Sequence, residues 1–558
     1  MDNIIVGTRG SKLSLIQTQQ VLDGIAGLFP GVKTELRAIK TEGDIKKEER
    51  LSEMAGKGVF VKEIEQHLVE GRIDIAVHSL KDMTTRIDPR LRIAAVLKRA
   101  NPLDVLISKD NVRLDALKNG AKVGTGSMRR RNQLVHYRHD LVVDNIRGNI
   151  ETRIAKLDAG EYDAIVLAAA GVERAGLSAR VAEQLSPGIM LPAPGQGAIA
   201  VETRASDVRT NEMVGRLNDP ATMAAVTVER TVLARIGGGC EVPLGILANA
   251  SADGLHVDAS MTGADGKCFR YSYDGSASDP TEAGLRITEE ILMSDAREIV
   301  GMGSPSSGLC GKVVMVTREE EPWGGLYEML MQKGAVPVYF PTIQIRAPDR
   351  IPELESAMER IDTYDIVAVA SRRGAEALAR AAGNEAGRAT GRARVVAVGD
   401  ETKKALEAHG ISVTYVPREA AAETLAEGIT DVDSRRVLAI GSDRSDWAIA
   451  EILGRRGAIV DRITAYTVGV PKVSQARIAE VLGYKYDFVT FASPSAAHGL
   501  RETLGDKMGA LMAASRAVCI GETTASACTR LGIGVAGIAE RHGLAGMLEA
   551  MEKLSREG

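Results

Sequence analysis

Residues Lys122–Arg138 read KVGTGSMRRRNQLVHYR. A short apolar strand runs into a turn of glycine, threonine and serine, and the turn opens a helix-like segment that starts with Arg129, Arg130 and Arg131. The same order of strand, turn and helix recurs along the chain on both sides of this stretch. Such alternation is typical of α/β folds, in which ligands bind at the carboxyl ends of the strands. The sequence therefore predicts an α/β protein with sites at these turns.

The composition limits the class of protein. A chain of 558 residues exceeds what one hydrophobic core supports, so roughly three to five domains are expected. The net charge of −4 provides no basic field for nucleic acid. The N-terminal stretch does not have the pattern of a signal peptide, and no apolar run is long enough to span a membrane. These features predict a cytoplasmic protein with small-molecule substrates and no nucleic-acid or membrane partner; a monomer is the simplest expectation.

The cysteines do not form a recognisable framework. Their odd number, wide spacing and lack of any C-x-x-C pair argue against a set of disulfides and against a zinc site, so no metal is predicted. The five are Cys240, Cys268, Cys310, Cys519 and Cys528. Only Cys240 follows three glycines, Gly237–Gly239. Taken alone, this pattern leaves open a buried structural thiol or a thiol with space for an attached group.

The second half of the chain contains an internal repeat. Three pairs of segments align at an offset of 122 or 123 residues: 365–378 with 487–500, 395–413 with 517–535, and 312–338 with 435–460. Each unit has an apolar strand, a turn rich in serine or threonine, and a helix. The repeat predicts two similar α/β lobes around a cleft. A stretch of linker composition at 301–311 separates them from the first half.

The first half places arginines where turns meet helices. A turn that opens a helix offers unpaired backbone N–H groups, and arginine adds a planar fork that suits carboxylates. A single surface arginine is best explained as a solvated charge. Repetition at several turns instead indicates a polyanionic ligand. Separately, the strand DIAVHS ends in Lys81 and Asp82, where a carboxylate can stabilise a developing positive charge.

These stretches resemble the porphobilinogen deaminase (hydroxymethylbilane synthase) family over residues 1–300. The resemblance rests on VGTRGSKLSLIQTQQV, AGKGVFVKEIE, DIAVHSLKD, GTGSMRRRNQL, RGNIETRIAKL, LPAPGQGAIAVE and GGGCEVPLG. It implies two lobes like those of periplasmic binding proteins, a small α+β third domain, and a dipyrromethane cofactor joined by a thioether to Cys240. Four porphobilinogen units would then be joined to one another, with loss of ammonia, to form hydroxymethylbilane.

The resemblance also implies roles for individual residues. Asp82 would be the catalytic carboxylate, contacting pyrrole N–H groups as an azafulvene forms. The residues implied to bind the carboxylates of cofactor and substrate are Arg9, Ser11, Lys57, Lys81, Thr125, Ser127, Arg129, Arg130, Arg147, Arg153 and Arg174. Two positions depart from the family pattern. Met83-Thr84 replaces a proline and predicts a less rigid loop, and Gly126 replaces a serine, which removes one hydroxyl from the turn.

Residues 312–558 resemble the uroporphyrinogen-III synthase family, through the two-lobed repeat and the motifs GDETKKAL, ITAYTV, FASPSAA and IGETTASA. The family closes hydroxymethylbilane with inversion of the last pyrrole ring. The positions that match its cleft are Ser371, Tyr466, Ser493, Ser495, Thr523 and Thr524. The Tyr466 phenol is the candidate catalytic proton donor. Glu522, where proline is common in the family, would repel an octa-acid unless it points away.

The two resemblances predict a bifunctional enzyme of tetrapyrrole synthesis with the following arrangement. The deaminase half would consist of a first domain (1–97 and 198–216), a second domain (98–197) and a third domain (217–300). A linker (301–311) would lead to the first synthase lobe (312–345 and 470–558) and the second synthase lobe (346–469). Two alternatives stay open at this stage. The lobes could belong to an anion-sensing receptor without a covalent adduct, or the second half could be a non-catalytic, regulatory anion-binding module.

Overall fold

The computed structural model describes residues 3–39, 61–238, 242–300, 307–319, 325–346, 348, 351–382, 391–418, 422–443, 447–541 and 543–557. Two of the residues singled out in the sequence, Lys57 and Cys240, lie outside these ranges. The chain forms two compact units: residues 1–315, 320–339 and 543–558 make the first, and residues 316–319 and 340–542 make the second.

The described strands of the first half are β1 Asn3–Arg9, β2 Lys33–Ile39, β3 Ile75–Ser79, β4 Leu91–Val96, β5 Asp104–Ser108, β6 Lys122–Gly124, β7 Val142–Asp144, β8 Ala164–Ala168, β9 Glu183–Gln184, β10 Ile199–Arg204, β11 Leu244–Ser251, β12 Gly254–Thr262 and β13 Cys268–Gly275. Its described helices are α1 Lys12–Leu28, α2 Lys62–Val69, α3 Met128–Tyr137, α4 Ile150–Asp158, α5 Ala169–Arg174, α6 Val208–Gly215, α7 Pro220–Arg235, α8 Pro280–Met293 and α9 Ala296–Val300.

The described strands of the second half are β14 Val313–Val316, β15 Val336–Tyr339, β16 Gln344–Arg346, β17 Ile366–Val369, β18 Arg394–Ala397, β19 Arg436–Ser442, β20 Ile459–Gly469, β21 Phe488–Phe491, β22 Arg516–Cys519 and β23 Val535–Ile538. Its described helices are α10 Gly325–Gln332, α11 Pro352–Glu359, α12 Arg372–Ala382, α13 Asp400–Ala408, α14 Ala422–Gly428, α15 Ala448–Arg455, α16 Gln475–Gly483, α17 Pro494–Leu504, α18 Lys507–Ala513, α19 Glu522–Arg530 and α20 Leu544–Glu557.

Two sheets of the first unit have the same arrangement. In the sheet β2-β1-β3-β10-β4, the first three strands are parallel and β10 runs antiparallel to both of its neighbours. In the sheet β7-β6-β8-β5-β9, three parallel strands are again followed by an antiparallel one. Strand β10 thus returns to the first sheet after the second sheet is complete. This strand order is compatible with a discontinuous first domain, whose boundaries stay a prediction.

The third sheet of this unit is the antiparallel ribbon β11-β12-β13, as the alternating sequence predicts. Helices α7 and α8 pack on one of its faces. Each helix begins with an aspartate whose carboxylate accepts a hydrogen bond from a backbone N–H in the first turn, and each has a proline at the next position. Both features favour helix initiation. The alternation of the strands and the caps of the helices together define a small α+β unit.

The aligned repeats have matching elements. The pair 365–378 and 487–500 corresponds to β17 with α12 and to β21 with α17; the pair 395–413 and 517–535 corresponds to β18 with α13 and to β22 with α19. In the second unit, β18, β17, β19 and β20 are parallel neighbours, and so are β21, β22 and β23. The α/β fold class predicted for both halves is confirmed.

The end of the predicted linker is packed. Leu309 is fully buried, and the Gly311 N–H donates to the carbonyl of Gly334 at 2.8 Å. Composition alone could not predict this, because glycine and serine are compatible both with a tether and with a tight turn. Residues 301–306 lie outside the described part of the chain.

Candidate functional site

The Lys81-Asp82 pair lies at the carboxyl end of strand β3. The strand leads into a 3-10 turn, Leu80–Asp82, which is held in place because Leu80 is buried and its N–H donates to the Ala198 carbonyl at 3.1 Å. This turn leaves the Asp82 side chain exposed and Lys81 partly buried. Burial lowers the pKa of the Lys81 ammonium, and the nearby Asp82 carboxylate opposes that shift. The pair therefore combines an accessible carboxylate with a cation at the edge of the sheet.

Gln196 joins this pair to a buried ion cluster. Its Oε1 accepts a hydrogen bond from Lys81 Nζ at 3.4 Å, and its Nε2 donates to Asp104 Oδ1 at 2.9 Å and to the Pro102 carbonyl at 2.7 Å. The residue is only 1% exposed. Gln196 lies in the motif LPAPGQGAIAVE, but a single sequence does not indicate which residues it contacts. The amide links the first sheet, through Lys81, to the second sheet, through Asp104.

Arg129 and Arg130 both pair with Asp104. Arg129 Nη1 lies 2.8 Å from Asp104 Oδ2, and Arg130 contacts Asp104 Oδ1 through Nε at 3.0 Å and Nη2 at 2.7 Å. All three side chains are buried. The two arginines hold the pKa of Asp104 well below its usual range, so the carboxylate stays ionised. Asp104 was not among the residues predicted from the sequence, although its carboxylate orients both guanidinium groups.

The turn before these arginines is ordered by its own hydroxyl groups. Ser127 caps α3 by accepting a hydrogen bond from the Arg130 N–H at 3.5 Å, and the Thr125 hydroxyl accepts one from the Ser127 N–H at 3.2 Å. At Gly126, a Cβ atom would lie 3.2 Å from both Asn145 Oδ1 and the Ile146 carbonyl. The glycine that replaces the family serine therefore occupies a crowded position.

The remaining predicted arginines of the first unit differ in exposure. Arg147 is exposed, whereas Arg9, Arg153 and Arg174 are partly buried. Arg153 Nε donates to the Gly148 carbonyl at 2.8 Å, and Arg174 Nη2 donates to the Gly197 carbonyl at 3.1 Å. Burial lowers the pKa of the Arg153 and Arg174 guanidinium groups.

Ser11 adds to this set at the end of β1. It caps helix α1, accepting a hydrogen bond from the Ser14 N–H at 3.2 Å. The hydroxyl thus fixes the turn that follows Arg9, in the way that the sequence pattern of serine before a helix indicates.

Two arginine side chains of the described site each have an unsatisfied donor atom. The Nε atoms of Arg129 and Arg174 are buried and have no hydrogen-bond partner among the described residues. A buried donor without a partner is unfavourable, and a carboxylate ligand would satisfy it. The chemistry of the donors therefore fits a multiply carboxylated molecule such as a dipyrromethane with acetate and propionate groups.

The loop after Asp82 is fastened to helix α7. Arg230 Nη2 donates to the carbonyls of Thr84 at 2.9 Å and Thr85 at 3.4 Å, and the Thr85 hydroxyl donates to the Gly238 carbonyl at 3.4 Å. Arg230 is partly buried, and the loss of hydration lowers its pKa to about 10. These bonds hold the segment that lacks the family proline, and they join it to a backbone position two residues before Cys240.

A second buried ion pair ties α7 to the first two sheets. Arg99 contacts the Glu229 carboxylate in a bidentate manner, at 2.7 and 3.1 Å. Glu229 also accepts hydrogen bonds from the N–H groups of Gly195 and Ala248, at 2.6 and 2.9 Å, and is completely buried. This carboxylate therefore connects the helix that precedes Cys240 to the backbone beside Gln196.

In the second unit, the predicted hydroxyl groups cap helices at strand ends. Ser371 accepts a hydrogen bond from the Gly374 N–H at 3.1 Å, and Ser493 accepts one from the Ala496 N–H at 3.2 Å. Ser495 lies in the first turn of α17. Thr523 is exposed and Thr524 is buried, both in the first turn of α19. Because β21 and β22 are parallel neighbours, the turns of Ser493 and Thr524 lie at the same sheet edge.

Tyr466 belongs to the other sheet of this unit. It pairs with Ser442 of β19, and its ring is partly buried against the core that contains Ile463 and Ala465. Strand β17, which leads to Ser371, lies on the other side of β19. Tyr466 and Ser371 are thus at the same carboxyl edge. Glu522 is exposed, so its carboxylate has access to water.

Two classes of feature are not found among the described residues. No helix there is long and apolar enough to cross a membrane. No group of three or more His, Cys, Asp or Glu side chains in the described ranges is arranged to hold a metal ion.

The fold is that of an α/β protein, and the chemistry of its cationic site fits a multiply carboxylated ligand. Comparison with known proteins specifies the family. Residues 4–212 match the family model "Porphobilinogen deaminase, dipyromethane cofactor binding domain", and residues 223–293 match "Porphobilinogen deaminase, C-terminal domain". The chain is 44% identical over 297 residues to a porphobilinogen deaminase of Roseiflexus sp. (strain RS-1), covering 53% of this chain and 98% of that protein. Identity to the Brevibacillus brevis deaminase is 43% over 296 residues, with 53% and 96% covered.

The second half matches a different family. Residues 326–549 match the model "Uroporphyrinogen-III synthase HemD". Among solved structures, a mutant uroporphyrinogen III synthase from Thermus thermophilus is 21% identical with a TM-score of 0.33, covering 45% of this chain and 100% of that one. A Helicobacter pylori uroporphyrinogen-III synthetase is 15% identical with a TM-score of 0.31, covering 44% and 99%.

The chain belongs to the porphobilinogen deaminase family and carries a uroporphyrinogen-III synthase domain after it. It is a bifunctional enzyme of tetrapyrrole biosynthesis, a transferase followed by a lyase, with a dipyrromethane cofactor. The family and function that the sequence motifs predict are confirmed.

Proposed function

We propose that Asp82 is the catalytic carboxylate of the deaminase site and that the surrounding cations hold the carboxylates of cofactor and substrate. The observation that carries this assignment is the placement of an exposed carboxylate at the end of β3, next to Lys81 and the Gln196–Asp104 cluster. Such a site has one free negative charge facing solvent, and the nearby cations are fixed by buried partners.

Some of the cations bind the carboxylates of the cofactor and others bind those of the substrate. Lys81, Arg129 and Arg130 form one group, held by Gln196 and Asp104, and with Thr125 and Ser127 they bind the cofactor carboxylates. Arg9, Ser11 and Arg147 extend the cofactor site, and Arg9, Arg153, Arg174 and Lys57 bind the substrate. When bound through a thioether to Cys240, the dipyrromethane supplies the pyrrole carbon on which the new chain grows. Because each porphobilinogen adds two carboxylates, several arginines are needed in one site.

Asp82 acts on the charge that develops during the reaction. As the amino group on the side-chain methylene of porphobilinogen leaves as ammonia, the C–N bond breaks, the methylene carbon stays on the ring, and positive charge spreads over the pyrrole. A fixed carboxylate stabilises that charge more than it stabilises the neutral ring of the ground state, which lowers the barrier. The bonds from Arg230 to Thr84 and Thr85 keep the loop that follows Asp82 in place, so the carboxylate does not have to be reoriented for each addition.

For the second half we propose that the first turns of α12, α17 and α19 bind the carboxylates of hydroxymethylbilane. Ser371, Ser493, Ser495, Thr523 and Thr524 are the residues concerned. Tyr466 donates a proton to the departing hydroxyl of the substrate. The support is the position of all six residues at carboxyl edges of parallel strands, where backbone N–H groups also point outward.

We also propose that the three deaminase domains and two synthase lobes predicted from the sequence, joined by the linker 301–311, are the domains of the protein and that it works in the cytoplasm as a monomer, without nucleic acid. Four cysteines are free, and the buried Sγ atoms of Cys519 and Cys528 lie 3.7 Å apart without a bond. The support for a reducing compartment is the odd number and wide spacing of the cysteines in the sequence, which do not form a disulfide framework.

Two measurements on the full chain test these roles. Intact-protein mass spectrometry should find an excess equal to two linked pyrroles, absent in Cys240→Ser and retained in the matched variant Cys268→Ser. Retention of the adduct in Cys240→Ser would contradict the attachment site. Incubation with porphobilinogen, followed by ammonia and isomer analysis, should give four ammonia per tetrapyrrole and uroporphyrinogen III. An excess of the uninverted isomer would contradict an active second site.

A further inference from the structure

Arg235, the last residue of helix α7, is buried beside the rings of Tyr327 and Tyr339, which belong to the synthase half. Its guanidinium carbon lies 4.4 Å from the ring centre of Tyr327 and 5.1 Å from that of Tyr339. The side chain is 5% exposed. Its Nε and Nη1 have no hydrogen-bond partner among the described residues. Burying a cation without a carboxylate is unfavourable, and the faces of aromatic rings are the main compensation here.

The tyrosines belong to a larger contact. Tyr327 of α10 is 2% exposed, and Tyr327, Met331 and Val336 share one apolar core with residues of α7 and α8. The Tyr339 N–H donates at 3.1 Å to Glu289 of α8, a carboxylate that is 1% exposed. Residues 325–339 therefore cover both an apolar surface and a buried charge of the deaminase part.

We propose that the face formed by α7 and α8 is a docking surface for residues 325–339 of the same chain, and that this contact anchors the end of α7, from which the segment carrying Cys240 begins. A deaminase whose chain ended before residue 325 would expose Arg235 to water. In this chain, the second half completes the core of the third deaminase sheet. The inference rests on the proposed function only where it concerns the cofactor carried by Cys240.

The end of α7 has the geometry that such an anchor would hold. The Gly238 N–H donates to the Leu233 carbonyl at 2.9 Å, and the Gly237 N–H donates to the Ala234 carbonyl at 3.1 Å. Gly237 has a φ of 71°, in the left-handed region. These are the two bonds of a Schellman motif, which ends a helix at a defined point and direction. Arg235 lies inside this motif, so fixing its side chain fixes the exit of the chain.

A double-mutant cycle in the full-length protein tests the docking contact. Arg235→Met and Tyr327→Leu, alone and combined, are compared by the calorimetric unfolding transition of the deaminase part. We expect the two changes to be coupled by about tenfold to thirtyfold in the unfolding equilibrium constant. Tyr327→Phe, which keeps the ring, should preserve the coupling. A coupling below twofold would overturn the proposal. If Tyr327→Leu does not fold, Tyr339→Leu with Arg235→Met provides the same comparison.

Hydrogen exchange tests the anchor separately from cofactor chemistry. In Tyr327→Leu, the amides of Gly237 and Gly238 should exchange at least tenfold faster than in the parent chain. The matched control is Arg516→Met, which removes a cation 4.4 Å from the Phe488 ring in the other unit and should leave these amides unchanged. Unchanged exchange in Tyr327→Leu would overturn the anchoring role. Because neither readout uses the cofactor, their failure is distinct from failure of Cys240 to carry an adduct.

Discussion

The two candidate sites of this enzyme are formed by different kinds of side chain. The deaminase site rests on buried charges with several partners each: Asp104 holds two arginines, and Glu229 accepts two bonds from Arg99 and two from backbone N–H groups. The synthase half offers hydroxyl groups that cap helices, such as Ser371 and Ser493, each of which accepts a hydrogen bond from a backbone N–H. The first site is a network, and the second is a set of separate turns.

This difference predicts how the two activities respond to substitution. A buried charge that loses its partner cannot be rehydrated, so a single change in the network should be severe. A hydroxyl at a helix start can be replaced in part by water or by the neighbouring backbone groups. Single substitutions should therefore have large effects on the deaminase half and small effects on the synthase half.

The largest effect is expected for Glu229→Gln. The neutral amide leaves the Arg99 guanidinium buried without its counter-charge, and the deaminase part should lose about 3–5 kcal/mol of unfolding free energy. Differential scanning calorimetry measures the loss. The control is Asp158→Asn, whose bridge to Arg180 is largely exposed, with side chains 53% and 40% accessible; such a bridge contributes about 1 kcal/mol or less. Equal losses in the two variants would refute the network description.

Asp82→Asn should give the largest loss of activity. The amide keeps the shape but cannot stabilise the positive charge on the pyrrole, so ammonia release should slow by roughly a hundredfold to a thousandfold. The Michaelis constant should change little, because in the proposed site the substrate carboxylates contact the arginines and not Asp82. Asp88→Asn, on the same loop with its carboxylate held by Arg90, serves as the control. A variant with normal turnover and a raised Michaelis constant would make Asp82 a binding residue only.

The sequence predicted local features of this molecule well and long-range partners poorly. The turn after Gly124 with its Ser127 cap, and the Lys81-Asp82 pair at a strand end, follow from periodicity and composition within a few residues. Asp104 and Gln196 do not, because they meet each other across 92 positions, and Arg99 meets Glu229 across 130. One carboxylate among many gives no signal of burial in a single sequence. Which charged side chains are buried depends on the fold of the whole chain.

A smaller effect is expected at Glu65 of helix α2, which lies near His78 of strand β3. Burial, with the nearby Glu202 carboxylate, raises its pKa from about 4.5 to about 7, while His78 opposes the shift. The folded protein therefore binds a proton that the unfolded chain releases between these values, and stability falls as pH rises from 4.5 to 7.

Glu65→Gln should remove this decrease of stability with pH. At pH 8 it should stabilise the deaminase part by on the order of 1 kcal/mol, a figure reduced for solvent screening. At pH 4 the variant and the parent should be alike, because Glu65 is then protonated in both states. Urea unfolding at the two pH values measures the difference. A variant less stable than the parent at pH 8 would show that the carboxylate is favourably paired, against the sign derived from its burial.

The smallest effect is expected for Tyr466→Phe in the second half. The ring stays against its apolar neighbours, so the fold should be unaffected, and only the phenol proton is removed. Water at this partly exposed position can supply a proton, so we expect cyclisation to slow by only a few-fold. This is less than the roughly hundredfold rate enhancement that a positioned acid contributes at the low end of its range. The measurement is the ratio of uroporphyrinogen III to the uninverted isomer. Because the released hydroxymethylbilane also closes without the enzyme, slower cyclisation should appear as a modest rise of the uninverted isomer at unchanged ammonia release. A loss of inversion as large as the Asp82→Asn defect would mean that the second site depends on one residue as strongly as the first.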